Sequence, residues 1–533
     1  MMTKPILDVG KAIGLCADDL VIYGTTKAKI KAPFNQGEPT GKLVLMTAIT
    51  PTAAGEGKTT MAIALHDALW ARGHQSLLCL REPSLGPVFG IKGGATGGGK
   101  AKLFPSDDIN LHFTGDLHAL TSSINLVAAV IDNHIYQGNV LQLDPKRVTW
   151  KRALDVNDRS LRRIKINLGT NDGQPRYDEF QITVASEMMA IMCLSLSPED
   201  FKTRIKEAII GYNFAGEPIR LGALEIEDAV YRLMEMALLP NLVQTLEGNP
   251  ALVHGGPFAN IAHGCNSLIA TRYALSRAPI VVTEAGFASE LGAEKFCDIK
   301  CRIGGIKPHL AVVVATIKAL KLHGGVSETD LKIENVEALR YGFQNLVQHI
   351  ENMKKFGLQV LVALNVFNDD FTNEINEFTR FMAEENYAYS LVTSVKDGSI
   401  GGLDFADKVV TMLKHDNQFQ FLYDNKDNVK CKIGKISRDL YRADGVKYSQ
   451  RALKELANIE ALGFGHLPVC MAKTPLSFSD NPLLKNAPRG FKITIREFRL
   501  SAGAGFIVAL TGKVLTMPGL PKVPAAVRMK EVR

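Results

Sequence analysis

TPTAAGEGKTT, residues 50–60, follows the apolar run Leu43-Val44-Leu45-Met46 and precedes a helix-forming stretch at 61–70. Strand, glycine loop, Lys-Thr and helix is the order in which a chain sets backbone N–H groups around nucleotide phosphates at a helix N-terminus. The spacing assigns Thr52, Ala53, Ala54, Gly55, Glu56, Gly57, Lys58, Thr59 and Thr60 to nucleotide binding. In that reading Lys58 reaches the β- and γ-phosphates and the Thr59 hydroxyl takes magnesium. The usual pattern is G-x-x-x-x-G-K-[ST], and Thr52 stands at its first glycine.

Outward from this loop, a second apolar run, Leu77-Leu78-Cys79-Leu80, leads into REPSLGPVFGIKGGATGGGKAK at 81–102. The glycines between Gly90 and Gly99 are too dense for the interior of a strand or helix. Arg81 and Glu82 fall where a second parallel strand delivers side chains to the carboxyl edge of a sheet, the edge where open α/β sheets gather ligands. An arginine there suits a carboxylate or a phosphate, which its planar fork grips with two bonds. Four more strand-like runs come later, at 280–282, 310–315, 360–364 and 390–392. Residues 336–356 read as a helix with Leu339, Phe343, Leu346, Val347 and Ile350 on one face.

Roughly six parallel strands result, so the expected fold is α/β, a doubly wound, mostly parallel sheet of phosphate-loop NTPase type. Residues 1–415 form the nucleotide-binding core, interrupted at 100–275 by a large insertion that builds the other wall of the cleft. The insertion carries helical candidates at 120–135 and 187–196. Residues 416–533 form a C-terminal α/β domain, in which 491–498 alternates like one half-buried strand. SAGAGF at 501–506 and an apolar run at 507–515 come after it.

Composition fits an enzyme acting on small anions. The chain has 533 residues, 46% hydrophobic and 22% charged, and a net charge of +7. That charge is small and dispersed, which excludes a nucleic-acid binder. Eight cysteines in this length make no disulfide scaffold. Cys297 and Cys301 stand as C-x-x-x-C with no second pair to complete a metal site. The N-terminus has no continuous apolar h-region and carries Asp8, Asp18 and Asp19, and no apolar run approaches the ~20 residues that span a bilayer. A cytoplasmic protein without membrane contact is expected.

Further polar, glycine-rich blocks are DINLHFTGD at 108–116, IDNHIYQGN at 131–139, HGGPFANIAHGCNS at 254–267, TEAGF at 283–287 and LPVCMAKTPLSFSD at 467–480. With these blocks, from Ala12 to Ala526, the chain closely resembles the formate–tetrahydrofolate ligase (10-formyltetrahydrofolate synthetase) family. The resemblance implies ATP-dependent ligation of formate to the N10 nitrogen of tetrahydrofolate, giving ADP and phosphate by way of formyl phosphate. It also implies a homotetramer that uses magnesium with ATP and a monovalent cation, potassium or ammonium, as activator. Position by position, Lys58 and Thr59 match the phosphate-loop Lys-Thr, and Arg81 matches the clamp on formyl phosphate. Glu82 matches a carboxylate tied to the monovalent cation. Asp116 matches an active-site aspartate, and His112 in the same block is a candidate donor to formyl or phosphate oxygens. Phe287 and Phe367 match aromatic residues beside the folate ring.

Where family members commonly carry a tryptophan in WAKGGEGG, this chain reads SVKDGSIGG at 394–402, with Ser394 and Val395 in its place. The loss of one stacking face weakens pterin binding by about 1–3 kcal/mol on the scale of base–aromatic stacking. Ala53, Lys100, Gln181 and the segment 288–290 also depart from the usual residues. Two other readings stand beside the ligase: a paralogue that binds nucleotide or folate with little turnover, and another phosphate-loop carboxylate ligase.

Overall fold

The structure, a computed structural model, describes residues 3–34, 37–52, 55–92 and 95–529. Ala53 and Ala54 of the glycine loop lie outside the described residues. The six apolar runs form the strands Lys42–Ala48, Ser76–Leu80, Ile280–Glu284, Pro308–Ala315, Gln359–Asn365 and Tyr389–Val392. They lie in one central sheet, whose order from 76–80 is 76–80, 280–284, 42–48, 308–315, 359–365 and 389–392, every pairing parallel. Pro250–Val253 adds a further parallel strand beside Ser76–Leu80. Asn241–Thr245 and the hairpin of Leu20–Tyr23 with Lys27–Ile30 then close that side in antiparallel register. The stretch 100–275 thus returns to the central sheet at 241–253.

Side chains alternate across a strand, so a sheet with helices on both faces must be apolar at every position. Lys42–Ala48 shows this directly. Val44, Met46 and Ala48 join one core with Met61, Leu65 and Leu69 of the helix Lys58–Ala71 and with Phe405 and Val409. Leu43 and Leu45 join the other, with Leu268, Leu275, Leu339 and Leu346. Pro308–Ala315 divides in the same way, 310, 312 and 314 to the first core and 311, 313 and 315 to the second. Both faces are covered, as a doubly wound sheet requires.

Between residues 100 and 240 the chain forms the long helix Asp116–Tyr136, a small antiparallel sheet of Leu143–Val148, Ile209–Asn213 and Pro218–Arg220, and the helices Glu187–Leu194, Pro198–Glu207 and Glu227–Met234. Ser186 and Ser197 cap two of these helices by accepting from Met189 N and Asp200 N. In the C-terminal part the structure corrects one reading. The alternating run 491–498 is two strands, not one. Lys492–Ile495 pairs with Gly445–Tyr448, whereas Glu497–Ser501 pairs with Phe506–Leu510 in a different sheet. The break falls at Arg496, whose N–H crosses to the Leu510 carbonyl at 2.7 Å. SAGAGF is the turn between the last two strands, and Glu187 accepts from Gly503 N and Ala504 N there, tying the turn to the insertion. All eight cysteines are free. Among the described residues no helix is long and apolar enough to cross a membrane.

Candidate active site

Parallel strands end on one edge, so residues at their carboxyl ends converge. Here that edge receives the glycine loop after 42–48, Arg81 and Glu82 after 76–80, Glu284 at the end of 280–284, Thr316 after 308–315 and Asn365 at the end of 359–365. The loop is tied to its neighbours through Glu56. That carboxylate accepts from Thr52 N at 2.8 Å and Thr52 Oγ1 at 3.0 Å through one oxygen, and from Thr316 Oγ1 through the other. Burial raises its pKa, against the hydrogen bonds from Thr316 and Thr52 and the charge of Lys58. Gly57 has φ +78°, and a Cβ there would lie 2.7 Å from Asn365 Nδ2, so both the backbone and the neighbour demand glycine. Lys58 then opens the helix Lys58–Ala71.

Glu284 joins the loop to the second strand end. Its Oε2 accepts from Thr59 Oγ1 at 2.7 Å, and its Oε1 accepts from Arg81 Nη2 at 3.1 Å and Nε at 3.3 Å. Burial alone would raise its pKa. The charge of Arg81, the Thr59 bond and the charge of Lys58 outweigh burial and hold the carboxyl below the usual range. Three residues predicted from two segments, Lys58 and Thr59 in one and Arg81 in the other, therefore surround a fourth, which stands in TEAGF and carries no role in the sequence pattern. The signal was present, because Glu284 is the polar residue that ends an apolar strand run, as Arg81 follows another.

Glu82 and Asp116 form a second cluster behind the first. Asp116 opens the helix Asp116–Tyr136, and its Oδ1 pairs with Lys29 Nζ at 2.7 Å, both side chains buried. Its Oδ2 accepts from Asn241 Nδ2 at 2.8 Å. Glu82 is buried, and its Oε2 has no hydrogen-bond partner among the described residues. Burial first, then the charge of Asp116, pushes its pKa well above the usual value, against Lys29. Lys29 and Asn241 escaped the sequence reading because they come from the antiparallel side of the sheet, with no motif around them.

The other candidates are more dispersed. His112 is exposed just before Asp116. Phe287 sits three residues past Glu284 in the left-handed region, φ +58°, and is half-buried. Phe367 follows the strand Gln359–Asn365, with Lys318 Nζ 5.0 Å from its ring centroid. Thr60 lies on the first turn of the loop helix, and a Cβ on Gly98 would sit 3.8 Å from its hydroxyl. The glycine-rich loop has a packing purpose as well: a Cβ on Gly99 would meet the Val395 carbonyl at 2.1 Å, and Lys100 N donates to that carbonyl at 2.9 Å. Segment 394–402 is thereby docked on residues 97–100. Ser394 is fully buried, and a Cβ on Gly402 would lie 3.0 Å from its hydroxyl and 3.1 Å from Ala68 Cβ.

In the block 254–267 a Cβ on Gly256 would strike the Glu82 carbonyl at 2.3 Å. His254 is spent structurally, donating from Nε2 to the Ala237 carbonyl at 2.7 Å and accepting at Nδ1 from Ser267 Oγ at 2.6 Å. His263 is buried with neither ring nitrogen partnered among the described residues. Burial, then Lys300, Lys295 and Arg81, hold its pKa well below the usual value.

A cavity of about 700 Å³ lies elsewhere, lined by Trp150, Arg176, Glu187, Arg451 and Phe498 among others. It touches none of Lys58, Thr59, Arg81 or Glu284. Volume alone does not mark a catalytic site, and the convergent charges on the strand edge make that edge the candidate.

Comparison with known proteins shows the family. The family model described as formate–tetrahydrofolate ligase matches residues 1–532. A formate–tetrahydrofolate ligase of Symbiobacterium thermophilum is 52% identical over 529 residues, covering 98% of this chain and 95% of that protein.

Proposed function

The chain belongs to the formate–tetrahydrofolate ligase family and carries out ATP-dependent ligation of formate to tetrahydrofolate, and we propose that Lys58, Thr59, Arg81 and Glu284 form the centre that activates formate. The observation that carries this reading is Glu284, which holds the phosphate-loop threonine with one oxygen and the arginine with the other. A strand, loop and helix with a carboxylate on the next parallel strand also supports the phosphate-loop NTPase type. ATP phosphates lie over residues 52–60, with Lys58 on the β- and γ-phosphates. Arg81 holds formate in its planar fork. A formate oxygen attacks the γ-phosphorus, its bond to the bridging oxygen breaks, and ADP leaves with formyl phosphate bound. N10 of tetrahydrofolate then attacks the formyl carbon and inorganic phosphate departs, the N10 proton being lost. Formate is a poor electrophile, and phosphorylation gives it a leaving group. Phosphoryl transfer of this kind depends mainly on positioning and charge neutralisation.

The Thr59 hydroxyl and the Glu284 carboxylate meet at 2.7 Å, an oxygen pair suited to a hard cation that keeps waters and phosphate oxygens as its other ligands. Magnesium bound there would neutralise charge on the β- and γ-phosphates. Among the described residues no group of three or more His, Cys, Asp or Glu could hold a metal by itself, in keeping with a cation that arrives with ATP. The Glu82 Oε2, without a hydrogen-bond partner among the described residues and beside the carboxylate of Asp116 with Lys29 partly offsetting their charge, suits a potassium or ammonium ion. Asp116 fixes that pair, and His112 acts on formyl or phosphate oxygens from the exposed loop before it. Phe287 and Phe367 flank the pterin, which takes the Phe367 face opposite Lys318. A homotetramer, a cytoplasmic location, the core at 1–415 with its insertion and the C-terminal domain at 416–533 complete the proposal.

Phosphate release from ATP with formate, measured with and without tetrahydrofolate, tests it. Turnover that requires all three substrates is expected. Turnover independent of folate would point to another carboxylate ligase, and no turnover to a binding paralogue.

A further inference from the structure

Two histidines outside the charged cluster bracket the first residue of the glycine loop. Thr50 is fully buried. Its N–H donates to His349 Nε2 at 2.8 Å and, over a longer path, to Asn345 Oδ1 at 3.3 Å, and its Oγ1 lies 3.0 Å from His349 Nε2. Its carbonyl accepts from His323 Nε2 at 3.0 Å, and its Oγ1 accepts from Asn345 Nδ2 at 3.1 Å. Donor, acceptor and hydroxyl of one residue are thus all engaged by side chains from the helices Ile317–His323 and Val336–Lys355.

The partners fix the tautomers. His349 Nε2 accepts from the Thr50 N–H, so Nδ1 is its donor and meets Ser289 Oγ at 2.6 Å. His323 donates from Nε2, so its Nδ1 accepts from Asn486 N at 3.1 Å. Both rings are neutral. Burial lowers His349 well below its usual pKa and His323 to about 4.

The anchors are themselves held. Ser289 also accepts from Asn352 Nδ2 at 3.1 Å, Asn345 Nδ2 donates to the Asn486 carbonyl at 2.8 Å, and the Phe478 ring lies 4.6 Å from that of His349. Glu290 Oε2 is 3.8 Å from His349 Nδ1, and its Oε1 pairs with Lys473 Nζ at 3.2 Å. One buried network joins the start of the glycine loop, the segment just past Phe287 and the C-terminal residues 473–486. Removing a partner from such a buried network is costly, and Glu290 Oε2 and Asn486 Oδ1 are its atoms without a hydrogen-bond partner among the described residues.

We infer that His349 is a positioning residue for the nucleotide site: it fixes the Thr50 peptide, and with it the entry of the phosphate loop, against Ser289 and the C-terminal segment. The inference rests on residues 50–60 being the phosphate loop. Glu56 and Asn365 hold the far end of that loop, and His349 with His323 holds the near end. A preorganised phosphate cradle needs both.

The test uses three full-length variants. His349→Phe keeps a ring against Phe478 and loses both bonds. His349→Gln restores an acceptor for Thr50 and a donor for Ser289. His349→Asn reaches only the Nδ1 position, so it keeps Ser289 and drops Thr50. Magnesium–ATP affinity, turnover and melting temperature are measured together. His349→Phe is expected to weaken ATP binding about tenfold, the scale set by loss of the shorter bond that leaves the Thr50 N–H only the longer one to Asn345 Oδ1, with His349→Gln within about threefold of the parent. If His349→Phe does not fold, His349→Asn is expected to show the same loss. A folded variant lacking the Thr50 bond that melts lower yet binds ATP as the parent does would make His349 structural only and overturn the inference. Lys58→Ala, measured alongside, separates the two failures: normal ATP binding and turnover there overturns the phosphate-loop reading itself.

Discussion

Glu284 and Glu82 are buried carboxylates at the ends of neighbouring parallel strands, yet their surroundings act in opposite directions. Glu284 faces Arg81, Thr59 and Lys58, and these neighbours outweigh burial and keep it ionised. Glu82 faces Asp116, which shares Lys29 with it, and burial keeps it protonated well above the usual range. Depth is the same, and the sign of the neighbouring charge decides the state. One edge of the sheet thereby carries an ionised carboxylate among basic groups, the arrangement on which the proposed phosphate and magnesium site rests. At the end of the neighbouring strand, Glu82 favours its proton, the property behind the proposed monovalent-cation role.

The largest effect that could break this comparison comes from Glu284→Gln. The neutral side chain leaves Arg81 without its carboxylate and removes a charged oxygen from the proposed magnesium site, so kcat should fall by about 10²–10³-fold in a folded protein. Steady-state kinetics beside a melting curve checks it, and a fall of less than threefold would remove Glu284 from the centre.

Arg81→Lys is next. It keeps the charge but loses the fork, and a loss of about tenfold or more in kcat is expected, shared by formyl phosphate formation and the overall reaction. A change confined to the KM for tetrahydrofolate would move Arg81 to the folate side.

Glu82→Gln should be milder in turnover, about threefold to tenfold, because the parent carboxyl is already biased toward its neutral form. Its diagnostic is the pH dependence of stability. A folded pKa above the unfolded value means that the folded state holds the proton longer. The contribution of Glu82 is therefore full below the unfolded value and is lost as pH rises through the folded one. Potassium should offset that loss in the parent, and Glu82→Gln should abolish both the pH slope and the potassium effect on melting. A slope unchanged in the variant would show that Glu82 is not its source.

The smallest expected effect concerns the missing tryptophan. Ser394 is fully enclosed near Gly402 and Ala68, so Ser394→Trp should destabilise by overpacking rather than help. Val395 is half-buried beside Gly99, and Val395→Trp is the substitution that can place a ring at the pterin, lowering the KM for tetrahydrofolate about threefold to tenfold with the KM for ATP unchanged. Kinetics with each substrate varied in turn decides it. An unchanged tetrahydrofolate KM would place the pterin away from residue 395.

Much of the central parallel sheet and its strand-end charges was legible in the chain, because their signals are local. An apolar run followed by a glycine loop and Lys-Thr specifies strand, turn and helix within a few residues, and the six runs became six parallel strands. Arg81 and Glu82 stand out as the charged pair at the end of a strand run. Glu284 has the same signature at the end of 280–284 and was legible by the same rule. The rest was hidden because it is built from distant pairs. Lys29 reaches Asp116, Asn241 comes from a strand inside the insertion, and His349 meets Thr50 from the helix Val336–Lys355, far along the chain. No periodicity or spacing encodes such meetings. The split of 491–498 was hidden for a related reason, since both halves alternate alike and only their partners differ.

The central claim is that Lys58, on the edge that Glu284 organises, stabilises the phosphoryl transfer. The most direct measurement is turnover of Lys58→Ala with saturating ATP, formate and tetrahydrofolate, on protein whose melting temperature matches the parent. A kcat lower by about 10²-fold or more is expected, the loss that follows when one charge-assisted contact to the transferring group is removed. A folded Lys58→Ala protein with near-parental kcat would contradict it.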